Sequence, residues 1–163
     1  MHTNPTKRTR GRRDLEGEFR RPMTRFTWPT RVYYEDTDAG GVVYFANYLR
    51  FMERARTEWL RHLGFDQSAL RETYGIVYVV RRVEADYQAP ARLDDALTVQ
   101  CQLVELSRVA LRFVQTIERG DEILVRGGSD VICVGADTLR PCRMPEPLMD
   151  ALRDQLQPIS PSN

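Results

Sequence analysis

The sequence predicts an α+β domain in which one long helix packs against an antiparallel sheet. Two observations support this expectation. Apolar residues recur at intervals of three and four over 47–63, which is typical of an amphipathic helix. After residue 75 the period changes to two, and four long segments rich in β-branched residues follow. These predicted strands are 76–87, 96–106, 110–119 and 122–134.

The elements that precede these strands can be assigned in order. A short strand is predicted at Arg31–Glu35, and the long helix at Asn47–Leu63. The stripe on this helix is apolar except at Arg56, which interrupts it. Its members are Leu49, Met52, Ala55, Arg56, Trp59 and Leu63. A second, short helix is expected at Gln67–Tyr74, where Gly75 is placed to end it in a left-handed conformation.

Short turns connect the predicted strands of the sheet. They lie at 88–95, 107–108 and 120–121 and contain residues that favour turns. Such brief connections imply antiparallel neighbours. The prolines of 141–147 end the sheet, and a last helix is expected at Leu148–Leu156. Because one helix cannot cover both faces of a five-stranded sheet, we expect a homodimer.

The 163 residues are sufficient for one domain with a substantial core, which we place at 26–157. Residues 1–25 carry a net charge of +5 and are expected to be a disordered basic extension, and 158–163 a flexible tail. A basic segment can bind nucleic acid or anionic lipid, but this one is short and lacks interleaved aromatic residues for base stacking. We therefore expect no nucleic-acid partner and at most peripheral membrane association. A membrane or nucleic-acid adaptor acting through this extension is the rival interpretation.

Cysteine usage and hydropathy indicate the compartment. Cys101, Cys133 and Cys142 form an odd set without paired spacing, which favours reduced thiols. No run approaches the roughly 18 to 20 apolar residues that span a membrane. The N-terminal region also lacks the apolar core of a signal peptide. A cytoplasmic protein is expected.

Several catalytic classes are excluded by the residues that the chain lacks. Of its two histidines, His2 lies in the basic extension and His62 in the last turn of the long helix. Neither is placed to act as the base of a Ser-His-Asp or Cys-His pair, and a zinc site has too few ligands. Glycine motifs that bind phosphate or a dinucleotide are also missing. We expect no metal and no cofactor.

The chemistry is predicted to lie where carboxylates and glycines precede the long helix. Amide N–H groups in the first turn of a helix lack intrahelical partners and, with the helix dipole, stabilise negative charge in front of them. Gly40 and Gly41 let the backbone turn sharply and allow a ligand to approach it. A carboxylate beside such a site can attack a carbonyl or deprotonate a water. This suits hydrolysis of a thioester, whose thiolate leaves without an acid, although the same residues also fit a capped turn.

Two stretches around this turn carry a resemblance to a known family. Tyr34–Tyr48 (YEDTDAGGVVYFANY) and Phe51–Glu58 (FMERARTE) closely resemble the hotdog-fold acyl-CoA thioesterases, in particular the Tol-Pal-associated YbgC type related to 4-hydroxybenzoyl-CoA thioesterase. Tyr87–Asp95 (YQAPARLDD) resembles the turn between two long strands of that family. The resemblance implies a hotdog fold, with a long central helix wrapped by a five-stranded antiparallel sheet. It also implies edge-to-edge dimers, often joined into tetramers, with active sites at the dimer interface.

The same resemblance implies roles for individual residues. Asp38 matches the catalytic aspartate of the family, acting as nucleophile or as general base, and the main-chain N–H of Phe45 matches the oxyanion donor. Members of the YbgC type commonly carry histidine at the position of Phe45, so this chain departs from them there. The substrate, acyl-CoA or an acyl-carrier thioester, is expected to contact Gly41, Val42, Val43, Tyr44, Tyr48 and Arg108.

Other charged residues are given structural roles. Asp36 is expected to cap the turn or to pair with an arginine, and Glu58 to pair with Arg54 or Arg61 on the helix surface. Arginines on or between strands could meet the phosphates of coenzyme A, although most are expected to be solvated. They are Arg81, Arg82, Arg108 and Arg112. The departure at Phe45 leaves open a hotdog protein that binds acyl-CoA or acyl carrier protein without hydrolysing it.

Overall fold

The computed structural model describes residues 12–156, which form a five-stranded antiparallel sheet and four α-helices within that range. The strand order in the sheet is β1-β3-β4-β5-β2. The strands are β1 (Phe26–Arg31), β2 (Ile76–Tyr87), β3 (Ala96–Leu106), β4 (Ala110–Arg119) and β5 (Glu122–Gly135). The helices are α1 (Leu15–Phe19), α2 (Asn47–His62), α3 (Gln67–Tyr74) and α4 (Glu146–Gln155). The predicted α+β architecture is confirmed.

The predicted boundaries of α3, β2, β3 and β4 agree with the structure. Helix α3 ends at Gly75, whose φ of 64° is left-handed. The prediction of a strand at Arg31–Glu35 is wrong, because β1 has already ended at Arg31 and Tyr34–Asp36 forms a turn of 3₁₀ helix. The turn forms because the carboxylate of Asp36 accepts a hydrogen bond from the Tyr33 amide at 2.9 Å. Its side chain therefore competes with the extended conformation that the sequence pattern favours.

The inner face of the sheet packs against α2 and α4. Helix α2 buries Tyr48, Phe51, Met52, Ala55, Trp59 and Leu60 against this face. Helix α4 adds Leu148, Met149 and Leu152 to the same side. The apolar side of α2 thus contributes to two buried clusters. Trp59 and Leu60 belong to one, and the buried residues from Tyr48 to Ala55 belong to the other, which also contains Val43 of the loop that precedes α2.

The outer face of the sheet is covered in part by the N-terminal segment. Leu15, on α1, packs with Val104 and Val114, and Phe19 and Met23 extend this contact. The expectation of a disordered extension through residue 25 is therefore wrong for residues 15–19. The stabilising contacts are too few and too distant in sequence to form a recognisable local pattern. Residues 1–11 and 157–163, including the predicted C-terminal tail, lie outside the described residues.

Two consecutive glycines on β5 allow helices to approach both faces of the sheet. A Cβ atom at Gly127 would lie 2.6 Å from the Met52 sulfur on the inner face. At Gly128 it would lie 2.7 Å from Leu15 and 2.8 Å from Arg112 on the outer face. These distances are shorter than real Cβ contacts, so a side chain at Gly127 would require Met52 to move, and one at Gly128 would require Leu15 and Arg112 to move.

Candidate active site

The loop between β1 and α2 is anchored by Asp36, which is almost fully buried. One carboxylate oxygen accepts a hydrogen bond from the Tyr33 amide, and the other accepts from the side-chain amide of Asn47 at 2.9 Å. The Tyr44 amide donates to the Asp36 carbonyl at 3.1 Å. Asp36 thereby joins the start of the loop to the first residue of α2, which agrees with the capping role expected for it.

Asp38 lies in the same loop, but its side chain is exposed. Its Oδ1 accepts a hydrogen bond from the Gly40 amide at 2.8 Å. The Asp38 carbonyl accepts from the Gly41 amide at 3.0 Å, and the Asp38 amide donates to Val42 at 2.9 Å. Gly41 has a φ of 75°, a conformation that glycine adopts without strain. The tight turn therefore presents a carboxylate at the surface in a defined orientation.

The main-chain N–H of Phe45 lies immediately before α2. Within residues 12–156 this N–H has no hydrogen-bond acceptor. The N-cap position of α2 is occupied by Ala46, which has no polar side chain to satisfy the first amides. An unpartnered amide at the positive end of a helix dipole is suited to an anion or a developing oxyanion.

Aromatic side chains cluster around the ring of Phe45. The ring of Phe45, which is 60% exposed, lies 4.7 Å from that of Tyr44 and 6.4 Å from that of Tyr87. The Tyr87 hydroxyl donates to the Phe45 carbonyl at 3.0 Å. Burial raises the pKa of Tyr87, so this hydroxyl remains a proton donor at neutral pH. The contact connects β2 to the start of α2 across 42 positions in sequence, and no local sequence signal indicates it.

The other predicted substrate residues divide into two groups. Val43 and Tyr48 are buried in the core, so their side chains position the loop instead of forming its surface. The Val43 amide donates to Ala91 at 2.9 Å, and the Tyr48 hydroxyl accepts from the Ala91 amide at 2.9 Å. Gly41 and Tyr44 are exposed beside Asp38 and Phe45. Val42, which is half-buried, forms a bridge with Arg92.

The loop is therefore bound to the segment 91–95, which Asp95 in turn holds in its conformation. The carboxylate of Asp95 accepts hydrogen bonds from the Arg92 amide and from Arg119, at 2.8 and 2.7 Å. Partial burial alone would raise the pKa of Asp95, but these bonds outweigh it and lower the pKa. Asp95 therefore holds the turn as a carboxylate.

Arg108 is not brought to this loop in the same chain. It lies in the turn after β3, whereas the loop contacts residues 91 and 92 before β3. The ten steps of β3 separate the two ends of the sheet by roughly 34 Å. Within one protomer Arg108 therefore lies far from Asp38, and its contact with the substrate stays a prediction.

Arg112 is an exception to the solvated positions expected for most of the four arginines. Its side chain is 2% exposed and donates hydrogen bonds to Glu18, Glu84 and Asp130 at 2.7 to 3.1 Å. Burial works to lower the pKa of Arg112, but the three carboxylates outweigh it and raise the pKa. These contacts leave Arg112 unavailable for the phosphates of coenzyme A. The predicted pairing of Glu58 is seen with Arg61.

No cluster of His, Cys, Asp and Glu suited to a metal ion occurs in residues 12–156. None of the helices described by the structure is long and apolar enough to cross a membrane. The sulfur atoms of Cys133 and Cys142 lie 3.8 Å apart as thiols, and Cys101 is buried.

Both the loop and the fold match those of a known protein family. The family model described as "Thioesterase-like superfamily" matches residues 32–152, which include both the loop and the sheet. The chain belongs to the thioesterase-like superfamily. Its predicted hotdog architecture is confirmed by solved members, including a probable thioesterase from Bartonella henselae (33% identity, TM-score 0.71, covering 75% of this chain and 100% of that one).

Two curated members of the superfamily are closely similar to this chain. The acyl-CoA thioester hydrolase YbgC of Escherichia coli O6:H1 is 45% identical, over 77% of this chain and 94% of that protein. The acyl-CoA thioesterase YbgC of Haemophilus influenzae is 44% identical, over 74% and 89%. These relatives confirm the predicted YbgC-type resemblance. A 1,4-dihydroxy-2-naphthoyl-CoA thioesterase from Synechocystis, at 24% identity and TM-score 0.75, shares the fold.

Proposed function

We propose that this protein hydrolyses acyl-CoA thioesters, using the Asp38 carboxylate and the Phe45 main-chain N–H. The names of its close relatives supply the reaction class. The assignment of the reaction to Asp38 and Phe45 rests on one observation. A single loop presents an oriented, exposed carboxylate and also ends in an amide without an acceptor among residues 12–156, at the start of α2.

In the proposed mechanism the thioester carbonyl oxygen accepts a hydrogen bond from Phe45 N–H. This bond strengthens as negative charge develops on the oxygen, and the loss of such a donor costs on the order of 3 kcal/mol of transition-state stabilisation. Asp38 then acts in one of two ways. It attacks the carbonyl carbon to form an anhydride that water cleaves, or it takes a proton from the water that attacks the carbon.

Both routes give the same products. The C–S bond breaks, the sulfur leaves as the coenzyme A thiolate, and water supplies the oxygen of the carboxylic acid. Because a thiolate is a good leaving group, no general acid is required. The mechanism therefore does not depend on a histidine at the position of Phe45.

We propose that the active form is a homodimer that pairs through β2. Asp38 is exposed in the single chain, and its electrostatic role is stronger where a second surface excludes water. Strand β2 is an edge of the sheet and exposes Val79, Val80 and Val83. An exposed apolar edge strand favours pairing with another strand, and a second copy supplies one. The unpaired thiols fit a reducing compartment, and we place the reaction in the cytoplasm.

The deciding experiment measures hydrolysis of a panel of acyl-CoA thioesters by the wild type and by Asp38→Asn. We expect kcat/KM to fall about 10³-fold in Asp38→Asn, because the amide is neither a base nor a nucleophile. Glu35→Gln is the matched control, since Glu35 is an exposed acid of the same segment, and it should retain wild-type activity. Undiminished hydrolysis by Asp38→Asn would refute the mechanism. Saturable acyl-CoA binding by a wild type without turnover would instead support the non-catalytic scaffold.

A further inference from the structure

Two of the three cysteines lie opposite each other on neighbouring segments of the chain. Strand β5 extends past the first residue of β4, and beyond that point the segment 140–142 runs beside it. Val134 forms a bridge with Pro141, and one residue further along the Cys142 amide donates to the Cys133 carbonyl at 3.0 Å. Cys133 and Cys142 are therefore opposite residues of an antiparallel pair.

The two thiols are in contact. Opposite residues of an antiparallel pair project their side chains to the same face, and here the two Sγ atoms lie 3.8 Å apart. Opposite residues that share a main-chain hydrogen bond have Cα atoms about 5.5 Å apart, and natural disulfides span Cα distances of about 4.4 to 6.8 Å. A bond between these sulfur atoms therefore requires rotation of the side chains and no rearrangement of the backbone.

The two cysteines differ in their access to solvent. Cys133 is completely buried in the core cluster that also contains Leu148 of α4, whereas Cys142 is half-buried. Burial raises the pKa of Cys133 to about 12, so at neutral pH this residue is a thiol that reagents in solution do not reach. A reagent therefore meets Cys142 first, and Cys133 reacts only with a sulfur atom that Cys142 already carries.

The cysteine pair lies away from the edge at which we expect a second copy. On its other side β5 pairs with β2, where Val77 lies opposite Val134. Since a strand has one neighbour on each side, the segment 140–142 lies on the side of β5 that faces away from β2. Pairing of two copies through β2 therefore leaves Cys142 accessible.

The third cysteine and the candidate active site are both remote from this pair. Cys101 lies opposite Gln115 of β4, which lies opposite Gly127 of β5, six residues and about 20 Å from Cys133. Along β2, nine residues and about 30 Å separate Tyr78, which is opposite Cys133, from Tyr87, which contacts Phe45. Chemistry at the cysteine pair is therefore separate from chemistry at Asp38.

We propose that Cys133 and Cys142 form a dithiol site that small aliphatic disulfides oxidise reversibly to an internal disulfide. The Cys142 thiolate attacks one sulfur of the small disulfide, forms a mixed disulfide and releases one small thiol. Cys133 then loses its proton and attacks the Cys142 Sγ, so that the protein disulfide forms and the second small thiol leaves. The protein gives up two electrons and two protons, and the small disulfide gains them as two thiols. Excess small thiol reverses both steps, so the crosslink forms only when small disulfides accumulate.

The crosslink would attach the chain that precedes α4 to the sheet. The Met144 amide in this segment donates to the Arg108 carbonyl at 2.9 Å, and the Tyr78 hydroxyl donates to the Met144 sulfur at 3.0 Å. Helix α4 follows directly and packs on the inner face of the sheet. Closing a loop of about ten residues restricts the unfolded chain, so the oxidised protein should unfold at a temperature about 5 °C higher than the reduced one.

The test treats the full-length wild type with 2-hydroxyethyl disulfide and measures its intact mass and its free thiols after denaturation. We expect a mass about 2 Da below that of the reduced protein, one remaining thiol, and complete reversal by dithiothreitol. Thermal unfolding should show the rise of about 5 °C in the oxidised sample. Three retained thiols, a lasting adduct of the small thiol, or a disulfide between two chains would each overturn the proposal.

Three variants then establish the order of the two steps. Cys133→Ala should stop at the mixed disulfide, with a mass about 76 Da above that of the reduced protein, because no second thiol resolves it. Cys142→Ser should remain unmodified, and Cys101→Ala, the matched control, should form the crosslink as the wild type does. Loss of two thiols in Cys142→Ser, or no crosslink in folded Cys101→Ala, would refute the assignment. Because no thioester is used, the result is independent of whether Asp38 catalyses hydrolysis.

Discussion

At the scale of single residues, the two aspartates of the loop differ in environment although only one residue separates them. Asp36 is 4% exposed and both of its carboxylate oxygens accept hydrogen bonds from the protein. Asp38 is exposed, and among residues 12–156 the one hydrogen bond that its carboxylate accepts comes from within its own turn. Because Asp36 is buried and hydrogen-bonded, its role is to hold the loop. Because the carboxylate of Asp38 is exposed, it is available for catalysis.

Replacing Asp36 by alanine should destabilise the fold. We expect the free energy of unfolding to fall by about 2–3 kcal/mol, because the Tyr33 amide and the Asn47 side chain both lose a charged, buried acceptor. Urea denaturation followed by circular dichroism measures this change. The matched substitution Glu35→Ala, at an exposed neighbour, should alter stability by less than about 0.5 kcal/mol. Equal effects of the two substitutions would contradict the anchoring role of Asp36.

At the scale of elements, α1 illustrates how a short segment is stabilised by the surface that it covers. A helix of five residues is too short to be stable alone. Leu15 packs on Val104 and Val114, and Glu18 contacts the buried Arg112, so the outer face of the sheet provides the stabilisation. We infer that α1 is part of the folded domain.

Truncating Leu15 tests this inference. Leu15→Ala should lower the free energy of unfolding by about 2–3 kcal/mol, since a buried leucine loses its contacts with the sheet and leaves a cavity. Glu16→Ala, at an exposed position of the same helix, is the control and should have little effect. Thermal and urea unfolding of the full chain provide the comparison. If Leu15→Ala were as stable as the wild type, α1 would not contribute to the fold.

At the scale of the whole molecule, the sheet has two unlike edges. Strand β2 exposes three valines at one edge, whereas β1 at the other edge carries Thr27 and Pro29 among its exposed residues. Proline cannot donate to a neighbouring strand, which disfavours pairing at β1. Strand β2 is therefore the edge at which we expect a second copy.

A charge on β2 should separate the two copies. Val80→Lys places a lysine on the proposed interface, and sedimentation should show about half the mass of the wild type, together with a lower kcat/KM. Thr27→Lys, on the opposite edge, is the matched control and should preserve both mass and activity. A monomeric wild type, or a Val80→Lys protein of unchanged mass, would contradict pairing through β2.

Much of the fold could be predicted because its elements are long and periodic. Helix α2 and four of the strands agree with the prediction to within a residue, since hydrophobic spacing and turn-forming residues are local properties of the chain. The roles of Asp38 and Phe45 were proposed from the resemblance of the loop to a known family, and not from hydrophobic spacing. The 3₁₀ turn at Tyr34–Asp36 could not, because a side chain bound to the backbone overrides the strand pattern.

The sequence by itself thus determined the order and type of most elements and the position of the candidate loop before α2. Only the tertiary structure decided the environment of each charged side chain. Arg112 is neutralised by Glu18, 94 positions away, whereas Arg56, on an apolar stripe, donates hydrogen bonds to Gln115 and Ser129 of the sheet. Burial and charge pairing depend on which residues meet across the sheet, and sequence spacing does not specify these contacts.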